Sequence, residues 1–185
     1  MKVFDKPGGI NTDDACRIAV ERAKLLNTSI VSSTTGGDSG VRLCEIAKDM
    51  GFEGKIVIVT HAFGSKEPGK SSLKDAHREA MLGYGAQLVT AAHVLSGVER
   101  GMSSKFSGVY PAEIMANTLR MLSQGIKVTV EIGCMALDAG VIDYGADIVC
   151  MGGTGRGLDT AVVMTPSHAS RIFETNVHEI LCMPY

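Results

Sequence analysis

Tryptophan is absent from this chain of 185 residues, and aromatic residues make up only 5% of it. Any ring-stacking platform must therefore use few side chains. No run of about 18 apolar residues occurs, so no transmembrane helix is expected. The first residues, Met1-Lys2-Val3-Phe4-Asp5-Lys6-Pro7, lack the apolar core of a signal peptide. Charge bias is also missing: the formal net charge is -2, which argues against nucleic acid as the main partner. The five cysteines, Cys16, Cys44, Cys134, Cys150 and Cys182, form no CxxC pair. An odd, dispersed set fits reduced thiols and a cytoplasmic location. No two histidines have ligand spacing, so no metal is expected. No linker or break in composition divides residues 1–185, so a single domain is expected.

Glycine is plentiful, at 22 residues, and two runs concentrate it. Asp147 to Met151 reads as a buried strand. It is followed by Gly152-Gly153-Thr154-Gly155-Arg156-Gly157-Leu158-Asp159 and a second apolar run, Ala161 to Met164. Glycines there allow positive φ and close approach to a ligand, successive amides can cradle an anion, and Arg156 adds a fixed planar cation. The plainer alternative is a hairpin around a flexible loop. The second run is Thr34-Thr35-Gly36-Gly37-Asp38-Ser39-Gly40, preceded by Ser33. It joins a strand to a helix, the context in which hydroxyls and a helix N-terminus bind phosphate. Asp38 opposes an anion unless it points away.

Helix and strand patterns alternate along the chain. Helices are expected from Asn11 or Thr12 to Leu26, over Val41–Met50, from Ser72 towards Gly83, from Pro111 to Gly125, over Ala136–Tyr144 and over Pro166–Phe173. Strands are expected at Ser29–Ser33, Lys55–Thr60, Gln87–Ala91, Lys127–Ile132, Asp147–Met151 and Glu179–Met183. Ala92–Val109 reads as a long irregular stretch. Such alternation predicts a mostly parallel sheet covered on both faces, with ligands beyond the carboxyl ends of the strands. Both glycine runs fall at that end, which favours one shared ligand.

Other candidates lie at the same end. His61 and His93 each follow a strand and can act as acid–base groups or phosphate donors. Glu131 sits within an apolar segment, so it must be paired or face a ligand. Cys134 reads as a buried structural thiol. Arg100 and Lys105 lie in a stretch able to close over a ligand. Gly64–Ser71 matches the spacing GxxxxGK[ST]. A phosphate loop is nevertheless disfavoured: Gly64 lies beyond the strand tip, Pro68 removes an amide, and no strand ends in a magnesium-binding Asp.

These segments carry a resemblance. PGGINT (Pro7–Thr12), SSTTGGDSG (Ser32–Gly40), THAFGSKEPG (Thr60–Gly69), HVLSGVERGMSSKFSG (His93–Gly108), VEIGCMALDAG (Val130–Gly140), GGTGRGLDTAVVMTPSH (Gly152–His168) and EILCMP (Glu179–Pro184) together cover nearly the whole chain. It resembles a family of small archaeal and bacterial proteins with the fold of the pyruvate kinase C-terminal domain. The resemblance implies a three-layer α/β/α sandwich and a flavin mononucleotide (FMN) site. It also implies that the Thr34–Gly40 loop corresponds to the one that holds a phosphate of an allosteric sugar phosphate in the kinase domain. Asp38 departs from that pattern. On this reading the cofactor site draws on Ser33, Thr34, Thr35, Gly36, Gly37, Ser39 and Gly40 for the phosphate. His61, Phe63, Gly64, His93, Glu131 and Met135 surround the ring, with Ala92 beside them. Gly152, Gly153, Thr154, Gly155, Arg156 and Asp159 approach the ribityl chain or ring edge. The expected function is FMN binding, with flavin-dependent oxidoreduction as its enzymatic form. The alternatives are a non-enzymatic regulatory domain for a small phosphate-bearing ligand and, more remotely, a P-loop phosphotransferase. No membrane partner is expected, and homo-oligomerisation stays open.

Overall fold

The computed structural model describes all residues, Met1–Tyr185, and builds them around one seven-stranded sheet of order β1-β7-β6-β5-β2-β3-β4. The strands are β1 (Lys2–Phe4), β2 (Ser29–Thr34), β3 (Ile56–Thr60), β4 (Gln87–Val89), β5 (Ile148–Gly152), β6 (Thr160–Thr165) and β7 (Asn176–Pro184). The α-helices are α1 (Thr12–Leu26), α2 (Asp38–Asp49), α3 (Asp75–Gly83), α4 (Gly97–Phe106), α5 (Pro111–Arg120) and α6 (Gln124–Asp138). All strand pairs are parallel except those of β6 with β5 and β7. The sheet is therefore mixed, with six strands running one way and β6 against them.

Strand alternation sends successive side chains to opposite faces, and each face has its own core. Ile30, Ile58, Val149 and Met151 pack with Ala19, Val20, Leu43, Ile46 and Met81, which places α1, α2 and α3 on one side. Val31, Val57, Val59 and Cys150 pack with Ile126, Ile132, Met135 and Leu137, which places α6 on the other. The result is three layers. Each fully buried Ile or Leu contributes about 1.5–3 kcal/mol relative to exposure.

Several expectations need correction. Lys127–Ile132 is not a strand; it is the first half of α6, which continues through Cys134, Ala136 and Asp138. Twelve of the fifteen α6 residues are buried, so the helix has no polar stripe to reveal its period. Gly125, expected to stop a helix, is the second residue of α6. A Cβ there would overlap the Thr160 side chain, so glycine lets the helix approach β6. Within Ala92–Val109 lies α4, none of whose residues is buried. Pro166–Phe173 holds only a 3₁₀ segment, Ala169–Glu174. The edge strand β1 was not expected.

Candidate functional site

The carboxyl ends of β5, β2, β3 and β4 lie side by side. The N-termini of α1, α2, α3 and α6 lead back from the same end. β2 and β5 are parallel neighbours but not consecutive in the chain. The loop after β2 leads to α2 on one face, and α6 starts on the other. Strand ends of this kind frame a ligand crevice in open α/β sheets.

The loop after β2 is closed upon itself. Thr34 Oγ1 accepts from Gly37 N (3.2 Å) and meets Ser39 Oγ (3.1 Å), which also donates to Ser33 O (3.4 Å). The first backbone bond of α2 runs from Val41 N to Gly37 O (2.9 Å), so the preceding Ser39 and Gly40 amides have no acceptor within the helix. The start of α3 covers the outer side. His77 Nδ1 donates to Gly36 O (2.9 Å), and Lys74 Nζ reaches Asp38 Oδ1 (3.3 Å). The Lys74 hydrogen bond holds the Asp38 carboxyl below its usual range, and its charge is thereby balanced. Gly37, at φ 101°, has no room for a Cβ, which would overlap His77. Gly40 is packed against Met81, whereas a Cβ at Gly36 would meet only the tip of Asp38 at 3.0 Å. Thr35 lies between these groups, half-buried.

The loop after β5 is built differently. β5 and β6 pair antiparallel, with Cys150 opposite Val162, so the Gly152–Asp159 run is a hairpin connection. Asp159 is fully buried, and its carboxylate accepts from Gly8 N (2.8 Å), Thr154 N (3.1 Å) and Thr160 Oγ1 (2.8 Å). Leu158 N donates to Thr12 Oγ1 (3.0 Å). A Cβ would overlap Gly125 O from Gly152, Gly157 O from Gly153, and Gly9 Cα from Gly157, whose φ is 88°. Most of this glycine therefore serves the packing of the chain on itself. Gly155 and Arg156 alone are exposed there.

Beyond β3 and β4 the structure brings His61 and His93 together, with ring centroids 4.7 Å apart and planes at 88°. Ala62 N donates to His93 Nε2 (3.4 Å), and His61 Nδ1 pairs with Ser65 Oγ. Behind them Lys127 and Glu131, one α-helical turn apart, form a buried ion pair whose side chains are 6% and 5% exposed. Glu131 also accepts from Leu95 N (3.0 Å), tying down the loop after β4. Burial lowers the pKa of His61, with smaller contributions from His93, Lys66 and Arg100 that outweigh Glu131. Burial likewise lowers that of His93 against the opposing pull of Glu131. Burial also lowers Lys127, although Glu131 works the other way.

Phe63, two residues after His61, is 64% exposed, and Gly64 turns the loop at φ 77°. Met135 does not join them, because it is packed in the core on the α6 side. Lys127 was missed from sequence, where its segment reads as a strand. The available signal was a Lys and a Glu four apart inside an apolar run, the spacing of one helix face.

The GxxxxGK[ST] match forms no phosphate cradle. Lys70 pairs with Glu67 (2.6 Å), Ser71 Oγ accepts from Leu73 N (3.1 Å), and α3 starts only at Asp75. A groove of about 530 Å³, lined by Phe52, Ile56 and Tyr84 among others, lies at the opposite end of the sheet.

Fold and loop geometry define an α/β domain whose glycine-rich loops gather at the carboxyl ends of its parallel strands. Residues 13–164 match the family described as "Pyruvate kinase, alpha/beta domain", and the chain belongs to that family. Among solved structures it is similar to Cryptosporidium parvum pyruvate kinase, at 13% identity and a TM-score of 0.36. That match takes in 95% of this chain and 23% of the kinase chain.

Proposed function

We propose that the chain binds a phosphate-bearing ligand, FMN, at the carboxyl ends of β2, β3 and β5. One observation carries the reading: α2 begins directly behind Thr34–Gly37 at the carboxyl end of β2, with the Ser39 and Gly40 amides outside its hydrogen-bond ladder. A helix N-terminus with such amides favours an anion by charge and by direction. The residues fit the phosphate, since Lys74 balances the one opposing carboxylate, Asp38. They also offer the ring a place, with Phe63 exposed two residues beyond His61 and the His61–His93 pair half-buried. FMN supplies electron-transfer chemistry when bound; Thr35, Gly36, Ser39 and Gly40 would hold its phosphate. Five free, buried thiols accord with a reducing compartment such as the cytoplasm.

The test is titration of the purified chain with FMN, followed by flavin fluorescence. Saturable binding is expected, with riboflavin, which lacks the phosphate, at least tenfold weaker. Gly36→Val should weaken FMN about tenfold, or about 1.4 kcal/mol. A chain that takes up no FMN sinks the flavin reading. Equal affinity for FMN and riboflavin sinks the phosphate site. FMN binding without reduction by any electron donor would favour a regulatory role for the same site.

A further inference from the structure

Large apolar side chains scattered singly over a surface are normal and need no explanation. One segment departs from that pattern. Seven of the nineteen exposed large apolar residues fall within the 25 residues from Val98 to Leu122. Val98, Met102 and Phe106 recur every four residues along α4 and so share one face of it. Val109 lies in the connection to α5. Ile114 and Met121 are two turns apart on α5. They face away from Ala116 and Leu119, through which α5 sits on the core. Two hydrogen bonds tie α4 to the first turn of α5: Ala112 N donates to Glu99 Oε2 (2.8 Å) and Ser103 Oγ to Glu113 Oε1 (2.6 Å). The two apolar faces are thereby held in one region of the surface.

Nothing within the chain covers α4, since none of its ten residues is buried. Isolated helices shorter than about 12–15 residues are marginal in water and take most of their stability from packing of an amphipathic face. α4 turns that face outward, and Gly101 in its interior weakens it further. Area and charge constrain what covers it. With roughly 150 Å² for each large apolar residue, the seven expose an area on the order of 700 Å². The largest apolar patch of a typical monomer is about 300–600 Å², and each partner in a standard interface gives up about 800 Å². Arg100, Lys105 and Arg120 stand against Glu99 and Glu113 in this segment. That slight basic excess is too small to hold nucleic acid or an anionic membrane. Both signs are present, so a face of this kind can set acid against base when it meets a copy of itself.

We propose that α4 and α5 form a two-fold interface through which two copies of this chain associate. The interface is independent of the phosphate and FMN reading. In a closed two-fold dimer the same patch is used by both copies. The Val98–Met102–Phe106 stripe of each copy is then covered by the α4–α5 face of the other. Met102 and Phe106 are of the residue types enriched in interface cores, and the unbranched Met side chains adapt to what they meet. α4 begins directly beyond the loop that holds His93 and Leu95, and Leu95 N is anchored on Glu131. The second copy therefore stands beside the carboxyl ends of β3 and β4.

Sedimentation velocity on the full chain reads the association directly. A species of twice 19.5 kDa is expected. Met102→Glu and Phe106→Glu should each weaken the dimer at least tenfold. Phe173→Glu, at a position 86% exposed outside the segment, should change it less than threefold. Circular dichroism accompanies each variant, and cross-linking of near-native variants keeps the test decisive if a glutamate variant fails to fold. All five native cysteines are buried, so a thiol introduced by Val98→Cys, Met102→Cys or Phe106→Cys is the accessible one. Mild oxidation should link two copies through at least one of these positions and not through Phe173→Cys. A chain that stays monomeric at about 100 μM overturns the proposal, since interfaces of standard size hold at micromolar concentrations or below. So does a dimer that Met102→Glu and Phe106→Glu leave intact, or the absence of a link from all three positions. Assembly that continues past two copies overturns it as well, because only a head-to-tail contact propagates.

Discussion

Two loops of this chain look alike in sequence and differ in the folded protein. Thr34–Gly40 and Gly152–Gly157 both follow apolar strands, both are rich in glycine, and both lie at the carboxyl end of the sheet. In the second, the space a side chain would need at Gly152, Gly153 and Gly157 is filled by backbone: Gly125 O, Gly157 O and Gly9 Cα. In the first, Gly37 and Gly40 close against side chains of α3, while Gly36 has an open mouth but for Asp38. Glycine at a strand end signals a close approach. Whether the approaching group is a ligand or the chain itself depends on what fills the missing Cβ, which sequence does not show.

The largest expected effects break the second loop. Gly157→Val forces a side chain onto backbone at positive φ and should cost about 3 kcal/mol or more. Asp159→Ala leaves Gly8 N, Thr154 N and the Thr160 hydroxyl without their acceptor. Buried unsatisfied groups cost about 1–3 kcal/mol each, so a comparable loss is expected. Urea unfolding of both variants checks this. Native stability in Gly157→Val would mean that the loop is open and available to a ligand.

The first loop should respond the other way. Gly36→Val is expected to leave stability within about 0.5 kcal/mol and to weaken FMN about tenfold. Gly37→Val cannot serve as the same probe, because its side chain would collide with His77 and should lower stability. Unchanged FMN affinity in Gly36→Val, alongside intact folding, would move the phosphate away from this loop.

The framework of the fold was legible where burial is one-sided or strand-like. β2, β3 and β5 are short apolar runs bounded by glycine and polar residues, and α1 shows a clear apolar stripe with an acidic first turn; α2 shows its stripe too, but it begins at Asp38, three residues before the Val41 start its pattern predicts. α6 was hidden because it is buried almost all round and rich in Val, Thr and Ile, a composition that also suits a strand. α4 was hidden for the opposite reason: with no buried residue, it has no apolar stripe to read. At the site, the placement of the loops followed from alternation alone. The His61–His93 contact and the Lys127–Glu131 pair did not, because they depend on the sheet order and on α6 being a helix.

A pH series sharpens the comparison by isolating the region beside the first loop. His61 and His93 have pKa values below the ordinary 6.5 in the fold. The unfolded chain therefore binds more protons as pH falls through that value, and stability falls with it. Stability is expected to be full above about pH 6.5 and to decline towards pH 5. Asp13 and Asp38, whose pKa values are lowered by Arg42 and Lys74, add losses only at more acidic pH, below their ordinary 3.8. Chemical denaturation at several pH values reads the slope. The double variant His61→Gln/His93→Gln should flatten it between pH 6.5 and 5; an unaltered slope would assign it to other groups.

The smallest effect is expected at Arg156, the residue that makes the second loop look most like a phosphate site. Its carbonyl lies 3.0 Å from where a Cβ of Gly9 would stand, so its backbone is fixed by packing. Its side chain is exposed, in the one part of the loop that faces solvent. Arg156→Ala should therefore leave stability within about 0.5 kcal/mol. An exposed charge is largely screened beyond about 8 Å at physiological salt. FMN affinity should accordingly fall no more than about threefold, or about 0.6 kcal/mol, and less as salt rises. A tenfold loss that persists at high salt would require direct contact, and would return the second loop to the ligand's wall.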